Sequence, residues 1–105
     1  MGVDDNLLSE IVRRVLAVAT PDRIILFGSA ATGQMTKDSD LDLLILEPSP
    51  ENTRAESVRI RRELDDLDYP ADVIVMPTER FEETKTLVGG IAYPANKYGR
   101  VLYPD

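Results

Sequence analysis

Apolar residues near the N-terminus recur at the spacing of a helix. Between residues 5 and 19 they fall every three or four positions, and the set is Leu8, Ile11, Val12, Val15, Leu16 and Ala19. Asp4 or Asp5 can cap the start of such a helix, and Pro21 lies just beyond its end. The pattern predicts an amphipathic first helix with one buried face.

Shorter apolar runs predict strands. Residues 24–27 (IILF) and 71–76 (ADVIVM) are mostly apolar, and residues 38–47 (DSDLDLLILE) end at Pro48. Runs of this length between Gly or Pro residues are typical of strands that are covered on both faces. Residues 100–103 predict a further short strand near the C-terminus.

Two other segments have helical patterns. Residues 51–68 are highly charged, with a thinner apolar face formed by Ala55, Val58, Ile60, Leu64 and Leu67. A last helix is predicted from about Glu79, with Thr78 as its cap, a break or bend near Gly89-Gly90 and Pro94, and an end at Gly99.

The predicted order is helix, strand, loop, strand, helix, strand, helix, strand. The sequence contains no repeat, low-complexity tract or linker. We therefore expect a single α/β (α+β) domain over residues 1–105, built from a small mixed β-sheet flanked by helices.

The chain contains no cysteine and no histidine among its 105 residues. Disulfides, thiol chemistry, Cys/His zinc sites and nucleophiles that depend on histidine are therefore excluded within this chain. Catalysis would have to use carboxylates, hydroxyls, Lys, Arg or backbone amides. Oxygen ligands of this kind favour hard cations such as Mg²⁺.

The formal net charge is −7 at pH 7. Binding to a nucleic-acid backbone depends on clustered Lys and Arg, so a long RNA or DNA partner is disfavoured.

No apolar stretch approaches the roughly 20 residues that span a bilayer. The acidic start MGVDDNLLSE is unlike a secretory or transit peptide, so we expect a cytoplasmic protein that does not enter a membrane.

Two aspartates bracket one leucine in the second predicted strand. Asp40 and Asp42 would point to the same side, because side chains alternate along a strand. Carboxylates held close raise each other's pKa unless a cation lies between them, and Mg²⁺ commonly takes one or two protein carboxylates together with phosphate oxygens. Asp72, in the otherwise apolar third strand, can join them, and three carboxylates could hold two Mg²⁺ ions.

Gly28 and Ser29 directly follow the first predicted strand. Gly28 permits a sharp turn and lets a ligand approach the backbone, and Ser29 offers a hydroxyl and an N–H at the start of a short helical turn. With a metal on one side and these donors on the other, the sequence predicts binding of a nucleoside triphosphate.

Each of these residues also has a purely structural interpretation. Asp40 and Asp42 could form a solvated strand end that discourages edge pairing, Asp72 could be exposed where its strand begins, and Ser29 could be a turn residue. The combination favours the functional interpretation, because the two motifs lie ten residues apart and each follows or opens a strand-like run.

The motifs of this chain together resemble those of the nucleotidyltransferase superfamily of DNA polymerase beta. They are Gly28-Ser29, Asp40-Leu41-Asp42 ten residues later, and the strand acid Asp72. Within it, the chain is most similar to minimal nucleotidyltransferase (MNT) domains, the MntA-like antitoxins of HEPN/MNT toxin–antitoxin systems. The resemblance implies the nucleotidyltransferase fold, with Asp40, Asp42 and Asp72 as ligands of catalytic Mg²⁺. It also implies that Asp72 helps to deprotonate the attacking hydroxyl, and that Gly28 and Ser29 contact the triphosphate.

The resemblance further implies transfer of AMP from ATP to a hydroxyl, on a tyrosine of a HEPN-domain toxin partner. Many relatives have arginines shortly after the Gly-Ser pair, where this chain has Ala30 and Thr32.

Two alternatives stay open: a binding module that neutralises its partner by contact with little or no turnover, and nucleotidyl transfer to a small molecule. The latter would need an added domain or a homo-oligomer to form the acceptor site.

Overall fold

Four strands form one mixed sheet in the computed structural model, which describes residues 5–32, 40–67 and 69–104. The strands are β1 (Arg23–Phe27), β2 (Leu41–Glu47), β3 (Ala71–Pro77) and β4 (Arg100–Tyr103), in the spatial order β3-β2-β1-β4. β1 is antiparallel to both β2 and β4, whereas β2 and β3 are parallel. The expected small mixed sheet is confirmed.

Helices cover both faces of this sheet. They are α1 (Asp5–Val18), α2 (Ser29–Thr32), α3 (Thr53–Arg62), α4 (Thr78–Thr84) and α5 (Ala92–Tyr98). α3 connects the parallel strands β2 and β3, as a crossover between parallel strands requires. None of the helices in the described ranges is long and apolar enough to cross a membrane.

The core has two parts, one on each face of the sheet. Along β2, Leu41, Leu43 and Ile45 pack on the side of α1 and α3. The alternate residues Leu44 and Leu46 pack on the other side, against Phe81 of α4 and two alanines of α5. Residues 41–46 therefore form a strand buried on both sides, apart from the half-buried Asp42.

The first predicted helix and the predicted strands are present, with small differences at their ends. Asp5 is the first residue of α1 and pairs with Arg100 of β4 at 3.4 Å. β2 begins at Leu41, and the earlier predicted positions 38 and 39 lie outside the described residues.

The helix predicted over residues 51–68 is shorter in the structure. α3 is capped by the side chain of Asn52, which accepts from the N–H of Ala55 at 3.0 Å, and the helix ends at Arg62. Tighter turns follow, with Leu64 N–H donating to Arg61 O at 2.9 Å. Aspartates have low helix propensity, and Asp66 instead binds Arg14 of α1. The predicted apolar face is also narrower than expected, because Val58 is exposed.

The last predicted helix is two helices. Residues 85–91 separate α4 from α5, and Gly89 has a φ of +121°, which is incompatible with a continuous helix. Pro94 lies in the first turn of α5, where a missing N–H breaks no helical hydrogen bond, and Gly99 ends α5 as predicted. The prediction that Thr78 caps the helix is wrong: Pro77 is at the N-cap, and the Thr78 hydroxyl donates to Asp22 at 2.5 Å.

One acidic side chain is buried in this fold. Glu47, the last residue of β2, is 7% exposed and lies on the side of α1 and α3. Burial, followed by a hydrogen bond shared with Glu56, raises the pKa of the Glu47 carboxyl to about 7, while nearby Arg59 acts in the opposite direction. Sequence analysis assigned no role to this residue.

We expect Glu47 to make folding stability fall with increasing pH. Its folded pKa of about 7 lies above the unfolded value of 4.5, so its contribution is present below pH 4.5 and lost as the pH rises through 7. The amide of Glu47→Gln can donate to Glu56 as the protonated acid does. At pH 8 this variant should therefore unfold at a higher urea concentration than wild type, and its free energy of unfolding should be larger by up to about 3 kcal/mol.

The measurement is urea unfolding of both proteins between pH 5 and pH 8. Glu83→Gln is the matched control, because Glu83 is exposed on α4. The stability difference between wild type and Glu47→Gln should grow with pH, and a difference that stays constant would contradict the assignment.

Candidate active site

The predicted site residues meet at one end of the sheet. β1 ends there, and β2 and β3 begin there, because β1 runs antiparallel to the two other strands. The register places Asp42 opposite both Phe27 of β1 and Asp72 of β3. The N–H of Leu41 donates to the carbonyl of Pro70 at 2.8 Å, which holds the starts of β2 and β3 together.

Asp42 and Asp72 lie on the same face of the sheet. Register partners on neighbouring strands point to the same side, and this is the side on which Leu44 and Ile74 pack against α4 and α5. Asp42 is half-buried, Asp72 is exposed, and Asp40 is exposed immediately before β2. The pairing of β2 with β3 thus brings Asp42 and Asp72 together. Asp40 lies near them because it is only two residues before Asp42.

The carboxylates affect one another electrostatically. Partial burial raises the pKa of Asp42, and the negative charges of Asp72 and then Asp40 raise it further. Among the described residues, no Lys or Arg forms an ion pair with any of the three. The end of the sheet therefore carries uncompensated negative charge.

Gly28 is fixed by two separate constraints. Its φ is +74°, in the region that favours glycine, and a Cβ built on it would lie 2.3 Å from Oδ2 of Asp42. The backbone at the end of β1 thus passes directly beside the half-buried carboxylate. Sequence analysis predicted the sharp turn but not this contact with Asp42.

Ser29 is the first residue of α2, as the expected short helical turn requires. The turn is closed by Ala31 N–H, which donates to Gly28 O at 3.1 Å, and by the Thr32 hydroxyl, which donates to Gly28 O at 3.4 Å and Ser29 O at 3.3 Å. Sequence analysis missed this role of Thr32, although its position four residues after Gly28 is the spacing of a helical turn.

Ala30 is buried in the core on the side of α1 and α3, at 7% exposed. Its side chain therefore packs inside the protein and does not face the carboxylates. Residues 33–39, between α2 and Asp40, lie outside the described residues.

The donor set at this end of the sheet suits a hard divalent cation. Asp40, Asp42 and Asp72 offer only carboxylate oxygens, and the missing side chain at Gly28 leaves Oδ2 of Asp42 uncovered. In the described part of the chain, no three acidic groups are arranged closely enough to hold one ion by themselves. Mg²⁺ needs only one or two protein carboxylates when phosphate oxygens and water complete its coordination, so these residues fit it.

Comparison with known proteins places the sequence in a family. Residues 6–93 match the sequence model of NTP_transf_2, described as a nucleotidyltransferase domain. The matched range includes all five predicted site residues, Gly28, Ser29, Asp40, Asp42 and Asp72. A search of curated proteins finds no match.

Two solved structures share the fold. The crystal structure of a toxin–antitoxin with AMP-PNP aligns with a TM-score of 0.65 and 19% identity, over 91% of this chain and 72% of that chain. The toxin–antitoxin MntA-HpeT, in a mutant with two aspartates one residue apart changed to glutamate, aligns with a TM-score of 0.65 and 16% identity, over 96% of this chain and 73% of that chain.

Gly28→Ala should destabilise the protein by about 2 to 4 kcal/mol, because the new Cβ combines an unfavourable φ with a clash against Asp42. Gly90→Ala is the matched control, since a Cβ there meets nothing within 4 Å. In an Asp42→Ala background the clash is removed, so the stability cost of Gly28→Ala should fall to about 1 to 2 kcal/mol. The remaining cost is that of placing alanine at a positive φ. Urea unfolding of wild type and the four variants measures these costs, and equal costs at positions 28 and 90 would refute the close approach.

Asp42→Asn should stabilise the isolated protein at pH 7. The pKa of Asp42 is raised on folding, so its contribution to stability is present below the unfolded pKa and is lost as pH rises through the folded value. Asn removes the repelling charge at nearly constant shape. Thermal unfolding at pH 4 and pH 7 should show the gain mainly at pH 7, and Asp65→Asn, at an exposed position, should show no such gain.

Proposed function

Because this chain belongs to the nucleotidyltransferase domain family, we propose that it transfers AMP from ATP to a hydroxyl group in a Mg²⁺-dependent reaction. The observation that carries the proposal is the pairing of Asp42 with Asp72 in register, with Gly28 passing beside the Asp42 carboxylate. Among the described residues no basic side chain pairs with these acids, which is unfavourable for stability alone, and the positive charge of bound Mg²⁺ would relieve the repulsion.

In the proposed reaction, the acceptor oxygen attacks the α-phosphorus of ATP. A bond forms between that oxygen and the α-phosphorus, the bond from the α-phosphorus to the bridging oxygen breaks, and pyrophosphate leaves with the electron pair. Asp72, exposed at the start of β3, accepts the proton of the hydroxyl. Gly28 and Ser29 bind the triphosphate through the open backbone at the start of α2.

Asp40, Asp42 and Asp72 would hold the metal, with room for two ions in the proposed complex. When bound, Mg²⁺ supplies positive charge that neutralises the triphosphate and the departing pyrophosphate. The remaining contribution of the protein is positional: β2 and β3 fix the two strand acids relative to each other, and the α2 turn fixes the phosphate-binding backbone.

We propose that the acceptor is a tyrosine of a HEPN-domain toxin and that this chain acts as its antitoxin. Structural likeness to two toxin–antitoxin structures supports this proposal. A net charge of −7 also favours association with a basic, RNA-cleaving partner through electrostatic steering.

A second candidate function is neutralisation of the partner by contact with little turnover. The favouring observation is that Ala30 and Thr32 stand where many relatives have arginines. Transfer to a small molecule is the third candidate, and it would require the acceptor site to be completed by another copy of the chain.

Label transfer distinguishes these functions. The protein is incubated with α-³²P-labelled ATP and Mg²⁺, with and without the product of the neighbouring gene, and acceptors are separated by gel and thin-layer chromatography. We expect label on the partner, and a loss of at least about 10³-fold in rate for Asp40→Ala/Asp42→Ala, because charge neutralisation is removed. Glu79→Ala/Glu83→Ala removes two exposed acids of α4 as the matched control.

Labelling that survives in Asp40→Ala/Asp42→Ala would refute the proposed site. If no acceptor is labelled and the double mutant still neutralises the partner, the contact function replaces the enzymatic one. Label on a small molecule alone supports the third candidate.

A further inference from the structure

A second acidic region lies at the opposite end of β2 from the candidate active site. Here the last residues of α1, the end of β2 and the start of α3 enclose an open cavity of about 630 Å³, which we term the distal cleft. It is lined by residues 16–20, Glu47 with the two residues that follow it, Glu56 and Arg59. Five residues along β2 separate Glu47 from Asp42, a distance of about 16 Å.

Glu47 is the unusual residue of the distal cleft. It is 7% exposed, and its Oε2 atom is buried without a hydrogen-bond donor in the described structure. Buried carboxylate oxygens without a donor are costly, so such groups are normally protonated, paired with a cation or bound to a ligand. Glu47 also borders the adjoining cavity beside residues 49–52.

The charges around Glu47 leave a net negative site. Among the described residues, Arg59 is the one cation that lines the distal cleft, and its guanidinium is already engaged by Glu56, at 2.7 and 2.9 Å, and by the carbonyl of Val18. The C-terminal end of α1 adds carbonyl oxygens that lack helical partners and carry partial negative charge. One positive charge therefore faces two carboxylates and a helix C-terminus.

We propose that the distal cleft binds an organic cation, a guanidinium or alkylammonium group, whose N–H donors bind the Glu47 carboxylate and the carbonyl oxygens at the end of α1. Nitrogen donors suit the site better than a divalent metal, because the described residues include no group of three acids placed to hold a metal ion, and Arg59 repels a doubly charged ion about twice as strongly as a singly charged one. The cavity is large enough for the side chain of an arginine or a lysine, or for one end of a free polyamine.

A proton competes with this ligand. Glu47 shares a hydrogen bond with Glu56, and its pKa of about 7 means that the proton is held near neutral pH. The charged groups that face Glu47 are Glu56 and Arg59 from α3, with Glu51 in the adjoining loop, while residues 16–20, at the end of α1 and just after it, have no titratable side chain. Binding of a cation should release the proton, so affinity should increase with pH.

The test uses agmatine and N-acetyl-L-arginine amide as probes, titrated into the protein at pH 6 and pH 8 at constant ionic strength. Amide chemical shifts in NMR report where the probe binds. We expect saturable shifts at residues 16–20, Glu47 and Arg59, and affinity at pH 8 about tenfold above that at pH 6, because a proton is displaced. Binding of both probes would indicate a protein side chain as the natural ligand, and binding of agmatine alone would indicate a free polyamine.

Glu47→Gln should weaken binding at pH 8 by about tenfold and abolish its dependence on pH, because the charged acceptor is removed. Glu83→Gln, which removes one charge from α4, should change the affinity less than about twofold. A second readout does not depend on a variant: saturating probe should lower the pKa of Glu47 that is followed by carboxyl ¹³C shifts.

Three results would overturn the proposal. They are the absence of saturable shifts in the distal cleft, equal weakening by Glu47→Gln and Glu83→Gln, and displacement of agmatine by Mg²⁺ at matched ionic strength. The proposal does not depend on nucleotidyl transfer, and binding in the cleft is expected to persist in Asp40→Ala/Asp42→Ala.

Discussion

The repulsion between carboxylates at one end of the sheet is the constraint on which the rest of the structure depends. Asp42 and Asp72 are fixed in register on parallel strands, and Asp40 follows directly from the start of β2. Separation would relieve the repulsion, but β2 cannot shift, because residues on both of its faces are buried under different pairs of helices. A slip of one position would exchange the two apolar faces and move Asp42 to the wrong side. Core packing thus holds the acids together despite their repulsion.

The strand β2 has opposite electrostatic character at its two ends. At the start, the carboxylates are exposed or half-buried, and a glycine leaves Asp42 uncovered. At the other end, Glu47 is buried beside Glu56. Its charge is determined by the proton that it shares with Glu56, by nearby Arg59 and by the C-terminal end of α1. Solvent access explains the difference, since burial penalises a charged carboxylate more strongly than a neighbouring like charge does in water. The same strand therefore ends in both of the sites that we propose, one for a metal and triphosphate and the other for an organic cation.

Much of the fold could be predicted from local pattern, because apolar spacing and glycine or proline boundaries are local properties. The first helix, the strands and the end of α5 at Gly99 follow from such signals. The errors occur where tertiary contacts compete with propensity. α3 ends early as Asp66 binds Arg14 across to α1, and Thr78 donates to Asp22 instead of capping α4. A single sequence does not indicate which distant side chain will compete for a hydrogen bond.

The sequence by itself determined the available chemistry: with no Cys and no His, and with aspartates at alternate positions of one strand, the site had to be built from oxygen ligands. It also determined that Gly28 and Ser29 would follow a strand. Only the tertiary structure decided that Asp72 pairs with Asp42 and that Glu47 is buried. It also decided that Gly28 lies so close to Asp42 that a Cβ at position 28 would be 2.3 Å from the carboxylate oxygen Oδ2. The physical reason is that strand order and register join residues far apart in the chain, and local spacing does not encode which strand becomes a neighbour.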